Sequence, residues 1–206
     1  MTEHQVTTLL LIRHGQTDHN AAGRWQGHLD VPLNQNGLAQ AQALAKRLAD
    51  WPIEAVYSSD LQRAAQTAVA IATPHTLQPT FDPIWRERDV GAFQSLNSQE
   101  IQTKFPAVWA DMLKTGVLNP PNGEHQTSLR QRAERALAQV LSQHEGQMIA
   151  IVSHGALLNG LISNVLGIPR ERFGRFRLNG NTGLSIVESN SRGPVLTLLN
   201  DTSHLS

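Results

Sequence analysis

The amino-acid sequence predicts an α/β fold, a three-layer α/β/α sandwich with a mostly parallel central sheet and a small helical cap insertion. Two patterns predict it. Short runs of β-branched and aliphatic residues alternate with stretches of helical spacing, the mark of strands joined by crossover helices. One span, about residues 88–126, breaks that alternation without a linker, repeat or low-complexity tract. The 206 residues therefore read as one domain, 1–206, with an insertion.

In chain order, Thr7 to Ile12 is an apolar run ending on Arg13 and His14 and predicts a buried strand. Gly15 to Pro32 is glycine-containing and polar with little periodicity, so it predicts a long loop, and loops of that length in compact domains are usually functional. Asn34 is a good N-cap for a helix carrying Leu38, Ala41, Ala45 and Leu48. Ala55 to Tyr57 predicts a strand, and Ser59 or Asp60 caps a helix carrying Leu61, Ala65, Ala68 and Ala72. The irregular stretch from Arg86 to Gln126 holds two short helices, Asn97 to Lys104 and Pro106 to Lys114, the second opened by its proline. Thr127 caps a helix carrying Leu129, Ala133, Leu137 and Leu141, and Gly146 closes it. Met148 to Val152 predicts a strand that runs into a helical Ala156 to Leu166; Leu184 to Glu188 and Val195 to Leu199 predict the last two strands.

Composition narrows the function. A chain of this length buries roughly 70% of the surface of its unfolded form and needs no disulfide or structural metal to hold a core. Seventeen basic residues against seventeen acidic ones give no excess cation for nucleic acid or a polybasic membrane contact. The absence of cysteine removes thiol nucleophiles, thiolate zinc sites and iron-sulfur clusters. No apolar run approaches a membrane span, so a cytoplasmic protein is expected.

Three predicted strand ends deliver the chemistry. Arg13-His14-Gly15 and Ser153-His154-Gly155 each follow an apolar strand at the carboxyl edge of the sheet, where ligands bind in such folds. Arg63 lies in the first turn of the helix after the third strand end. Singly, these are an edge histidine, a second one, and a solvated arginine. Together, two guanidiniums and a helix N-terminus form a cradle matched to phosphate oxygens. Neighbouring positive charge lowers an imidazole pKa, which favours a neutral nucleophile, and that role falls to His14. An acid is needed for the leaving alkoxide; Glu87 and Asp89 both qualify, and both could instead pair with Arg86 and Arg88. His28 and Asp30 resemble half a metal site but have no further ligands in their loop.

The stretches Leu11 to Asn20, Arg24 to Leu33, Ser58 to Ala64, Arg86 to Gly91, Pro121 to Glu124 and Val152 to Gly155 resemble the signature of the histidine phosphatase superfamily, in its phosphoglycerate-mutase-like branch. The resemblance covers roughly residues 7 to 190. It implies that His14 is transiently phosphorylated, that Arg13, Arg63 and His154 hold the phosphoryl group, and that Glu87 rather than Asp89 is the acid and then the base. It adds Asn20, Gln26 and Gly27 as pocket residues and gives Gly155 the task of letting the backbone approach closely. No metal and no cofactor are implied.

The pattern varies at three points: His19 stands where a large aromatic residue is usual, Ala156 replaces a frequent glycine, and Gln94-Ser95-Leu96 replaces an acidic-glycine run. None removes a group the chemistry needs. Mutases of this family carry a longer, more basic insertion, whereas residues 91–123 hold only Lys104 and Lys114 against Glu100 and Asp111. The expected function is metal-independent hydrolysis of small phosphate esters. The alternatives are a 2,3-bisphosphoglycerate-dependent phosphoglycerate mutase and a non-catalytic phosphoryl-binding module. Trp85, Phe93, Phe105, Trp109 and Met112 either line the cap or pack it onto the core. The expected partner is a small-molecule phosphate ester, with no nucleic acid and no membrane, and the resemblance leaves room for a homodimer through Ile168 to Phe176 or a sheet edge.

Overall fold

A computed structural model describes residues 5–117, 119–169 and 176–206. The elements in chain order are β1 (Thr7–Arg13), α1 (Asp18–Ala21), α2 (Gln35–Leu48), β2 (Ile53–Ser58), α3 (Gln62–Ala72), β3 (Thr80–Phe81), α4 (Ser98–Lys104), α5 (Pro106–Thr115), α6 (Gln126–Gln143), β4 (Met148–Ser153), α7 (Gly155–Val165), β5 (Leu184–Asn190) and β6 (Gly193–Asp201). The strands form one six-stranded sheet in the order β3-β2-β4-β1-β5-β6. β1, β2, β3 and β4 run parallel, and β5 and β6 close one side antiparallel.

The layers follow from the alternation of side chains along β1. Leu9 and Leu11 point to one face and pack with Leu129, Ala133 and Leu137 of α6 and Leu157, Leu158 and Leu161 of α7. Leu10 and Ile12 point to the other and pack with Leu44 and Leu48 of α2 and Ala64, Ala68 and Ile71 of α3. All four strand residues are wholly buried, each worth roughly 1.5–3 kcal/mol. Both faces are covered, so the strand reads as a continuous apolar run instead of alternating.

Several local expectations are corrected. Asn34 does cap α2, accepting from the Gly37 N–H at 2.8 Å, but Leu38 is exposed and the buried stripe runs through Ala41, Leu44, Ala45 and Leu48. Neither Ser59 nor Asp60 caps α3: Leu61 is its N-cap, with no side-chain bond, because the Asp60 carboxylate is taken by Arg86. α6 starts one residue before Thr127, and His125 caps it through Nδ1. The loop after β1 contains the single-turn helix α1, closed by a capping box between Thr17 and Asn20. The two-residue strand β3 carries no signal in the sequence. The suggested dimer segment at Ile168 to Phe176 falls mostly outside the described residues.

Candidate active site

The β1–β4 register builds the floor. Arg13 pairs with Ser153, so the next residue of each strand, His14 and His154, leave the sheet side by side. The His14 N–H donates to the Ser153 carbonyl at 2.9 Å, and the two rings lie 5.0 Å apart between centroids, tilted by 59°. Both histidines are buried, at 2% and 0% exposure, as is Arg63 at 0%.

His14 Nδ1 lies 2.7 Å from the Gly15 carbonyl oxygen. A carbonyl only accepts, so Nδ1 carries the proton and the neutral ring keeps its lone pair on Nε2. Burial first, then Arg63 and Arg13, hold the His14 pKa well below that of a free imidazole. Desolvation is therefore a larger cause than the neighbouring positive charge expected from sequence. His154 is shifted the same way, again mainly by burial.

The guanidiniums are fixed by backbone carbonyls. Arg13 Nη1 donates to Leu178 and Asn179 at 2.9 and 3.0 Å, and Arg63 donates through Nη1 to Leu29 and through Nη2 to Gly27 at 2.7 and 2.8 Å. Burial pushes the Arg63 pKa down to about 10, opposed by the Glu87 and Asp30 carboxylates, so the side chain stays cationic at neutral pH. What is left over is informative: Arg13 Nε, Arg63 Nε and both ring nitrogens of His154 are buried without a protein partner. Buried polar nitrogens are seldom left without a partner, and these four belong to the groups around His14.

Glu87 reaches the same place from the other side. One carboxylate oxygen accepts from the Arg88 N–H at 2.8 Å, and both face the Ala156 N–H of α7 at 3.1 and 3.3 Å. Its backbone carbonyl accepts from His28 Nε2 and from Arg132, which also binds the Ile84 and Arg86 carbonyls and the Glu124 carboxylate. The anticipated pairing of Glu87 and Asp89 with Arg86 and Arg88 is absent. Arg86 pairs with Asp60, Arg88 binds the Glu124 carbonyl and Asn119, and Asp89 turns back to the Gly91 N–H. His28 and Asp30 part company: Asp30 accepts from Gln62.

The softer pocket residues take mixed positions. Asn20 and Gln26 line the cleft, and both are bound to Thr17, through Asn20 Oδ1 and Gln26 Oε1. Gly27 sits at a φ of +53°, where a Cβ would lie 2.6 Å from Val90 Cγ2, so the turn that presents its carbonyl to Arg63 requires glycine. Gly155 has a different reason from the one expected. A Cβ there would make only ordinary contacts, 3.7 Å to Arg13 Nε and 3.9 Å to Glu87 Oε2, so a side chain would intrude on the cleft and not on the backbone. His19 is half-buried and turned to Ser95 at 3.4 Å.

A cleft of about 660 Å³ opens above this floor, lined on its outer side by Trp25, Val90, Trp109, Met112 and Arg177 among others. Of the five insertion-region apolar side chains named from sequence, Trp109 and Met112 face it. Trp85 is buried in the core, and Phe93 packs against Phe105 in the small cluster beneath the cap. Sequence reasoning missed Thr67, which accepts from the Gly15 N–H at 3.1 Å, and Asn181, which donates to the His14 carbonyl at 3.0 Å. It also missed Arg132. Thr67, one turn after Arg63 on α3, carried the only usable signal.

The profile of the histidine phosphatase superfamily (branch 1) matches residues 9–202. A protein of Arabidopsis thaliana named metal-independent phosphoserine phosphatase is 34% identical over 99% of this chain and 85% of its own. A Proteus mirabilis protein described as a probable phosphoglycerate mutase, GpmB, is 37% identical over 95% of this chain and 94% of its own. Among solved structures, Bacillus stearothermophilus YhfR superposes with a TM-score of 0.90 at 29% identity, covering 97% of this chain and all of the other.

Proposed function

The chain belongs to the histidine phosphatase superfamily and is a phosphatase, and on that premise we propose that it hydrolyses small phosphate monoesters, without a metal, through a phosphohistidine on His14. The observation that carries the proposal is the set of four partnerless buried nitrogens on Arg13, Arg63 and His154 around a neutral His14. The two guanidinium N–H groups and the one N–H of the neutral His154 ring supply donors for a phosphoryl group's oxygens, in a low-dielectric floor where such donors count most.

In the proposed cycle, His14 Nε2 attacks phosphorus, the P–N bond forms, and the ester P–O bond breaks. The departing alkoxide takes the proton of the Glu87 carboxyl group. Water then attacks the phosphohistidine and gives a proton back to Glu87; the P–N bond breaks, and inorganic phosphate leaves with His14 restored. Arg13, Arg63 and His154 stabilise the phosphoryl oxygens throughout. His14 Nδ1, tied to Gly15, fixes which nitrogen attacks. Asn20, Gln26 and Gly27 shape the wall of the pocket.

The proposal includes a cytoplasmic location, supported by the N-terminal apolar run being the buried strand β1, and by the lack, among the described residues, of a helix long and apolar enough to cross a membrane. The test is a paired assay. Protein treated with EDTA is given p-nitrophenyl phosphate, and separately 3-phosphoglycerate with a trace of 2,3-bisphosphoglycerate. Phosphate release in both, unaffected by EDTA and without isomer interconversion, is expected. Interconversion with little release would mean a mutase, and loss of activity restored by a divalent ion would end the metal-free scheme.

A further inference from the structure

Among the described residues, five arginines line the cleft, Arg13, Arg24, Arg63, Arg88 and Arg177, against one carboxylate, Glu87. Four are committed. Arg13 and Arg63 belong to the phosphoryl floor. Arg24 is neutralised by Glu100 at 2.9 Å and also binds the Ser95 carbonyl. Arg88 spends Nε on the Glu124 carbonyl and Nη2 on Asn119. Among the described residues, Arg177 has no hydrogen-bond or ion-pair partner, so it is the cleft guanidinium whose donors are all unspent.

The backbone that bears Arg177 is fixed on both sides. Before it, the Phe176 carbonyl accepts from Asn159 Nδ2 at 3.2 Å. After it, the Leu178 and Asn179 carbonyls accept from Arg13 Nη1. The residues that clamp the phosphoryl-site arginine are therefore the two that follow Arg177 in sequence. Arg177 and Arg13 line the same cleft, and Trp25, Trp109 and Met112 add apolar surface to it.

We infer that Arg177 is a specificity-determining residue that holds a second, carboxylate group on the leaving-group side of the phosphate ester. The inference rests on the phosphomonoesterase reading above and deepens it. The charge count selects a carboxylate: among the described residues, five arginines against Glu87 and Glu100 leave three positive charges, the ester dianion takes two, and the one remaining matches a monoanion, whereas a second phosphate dianion would leave excess negative charge in the cleft. Geometry agrees, because a guanidinium's parallel N–H pair fits the two oxygens of a carboxylate.

Matched esters that differ at the carboxylate test it: O-phosphoserine against phosphoethanolamine, and 3-phosphoglycerate against glycerol 3-phosphate. Each is assayed with the wild-type protein, Arg177→Met and Arg177→Lys, with p-nitrophenyl phosphate as a reference for the wild type. The wild type should favour the carboxylate member of each pair by about tenfold in kcat/KM. Arg177→Met should bring both ratios close to one, mainly through KM, and Arg177→Lys should keep part of the preference. Misfolding lowers both members of a pair together, so the ratio isolates recognition. Ratios near one in the wild type, or ratios unchanged in Arg177→Met, overturn the inference while leaving the phosphatase reading intact. Wild-type protein that hydrolyses none of the five esters removes both.

Discussion

The floor of the cleft and its rim are built by opposite means. The floor comes from two adjacent parallel strand ends and one helix, and its three central side chains, His14, Arg63 and His154, are essentially inaccessible. The rim comes from α5, none of whose described residues is buried, and from single side chains such as Trp25 and Arg177. A dry, rigid floor makes fixed donors effective against developing charge. A thinly packed rim can change its side chains at little cost to stability. On the proposed mechanism the contrast ties the chemistry to the sheet and leaves the choice of substrate to the rim.

The largest expected effects break the floor. His14→Ala should lower kcat by about 10⁴-fold or more on every ester, since no other group supplies the nucleophile. Glu87→Gln should cost about 10²- to 10⁴-fold on alkyl phosphates, whose leaving groups need a proton, and far less on p-nitrophenyl phosphate. Steady-state rates on the two substrate classes decide this; equal losses on both would show that Glu87 is not the acid.

Next comes stability, which should divide along the same line. Leu11→Ala, beneath the floor and wholly buried, should cost about 2–5 kcal/mol in urea unfolding. Leu113→Ala on α5, 70% exposed, should stay within about 0.5 kcal/mol of wild type. Similar losses would mean that α5 is packed as tightly as the sheet.

A smaller effect sharpens the comparison by pH. The pKa values of His14 and His154 are lowered on folding, chiefly by burial. Below about pH 6.5 the unfolded chain therefore binds more protons than the folded one, and stability falls as pH falls towards the folded pKa values. The slope is at most about 1.4 kcal/mol per pH unit for each ring. Urea midpoints measured from pH 7 down to pH 5 should decline, and His14→Gln should flatten the decline by about one proton. No flattening would show that His14 is not held neutral by the fold.

How much of this was legible depended on what kind of atom does the work. β1 and β4 announced themselves as apolar runs ending on histidines, and Arg63 followed from a strand-to-helix junction. The sequence could not reveal that Arg13 and Arg63 are aimed by the carbonyls of Leu178, Asn179, Leu29 and Gly27, because any residue supplies a carbonyl. Caps were misplaced where a side chain had a stronger distant partner, as Asp60 has in Arg86. β3 went unseen because both its residues are exposed and carry no alternation. Choosing Glu87 over Asp89 needed the family resemblance: the two stand two residues apart, and only tertiary contacts with Arg132, His28 and α7 turn the first inward.

The most direct measurement is to trap the intermediate. Glu87→Gln protein is mixed with p-nitrophenyl phosphate, quenched under alkaline conditions that preserve phosphohistidine, digested, and mapped by mass spectrometry. The proposed mechanism predicts a phosphoryl group on the peptide that contains Arg13-His14-Gly15, located on His14. Rapid release of p-nitrophenol with no phosphorylated peptide, or with the group on another residue, would contradict it.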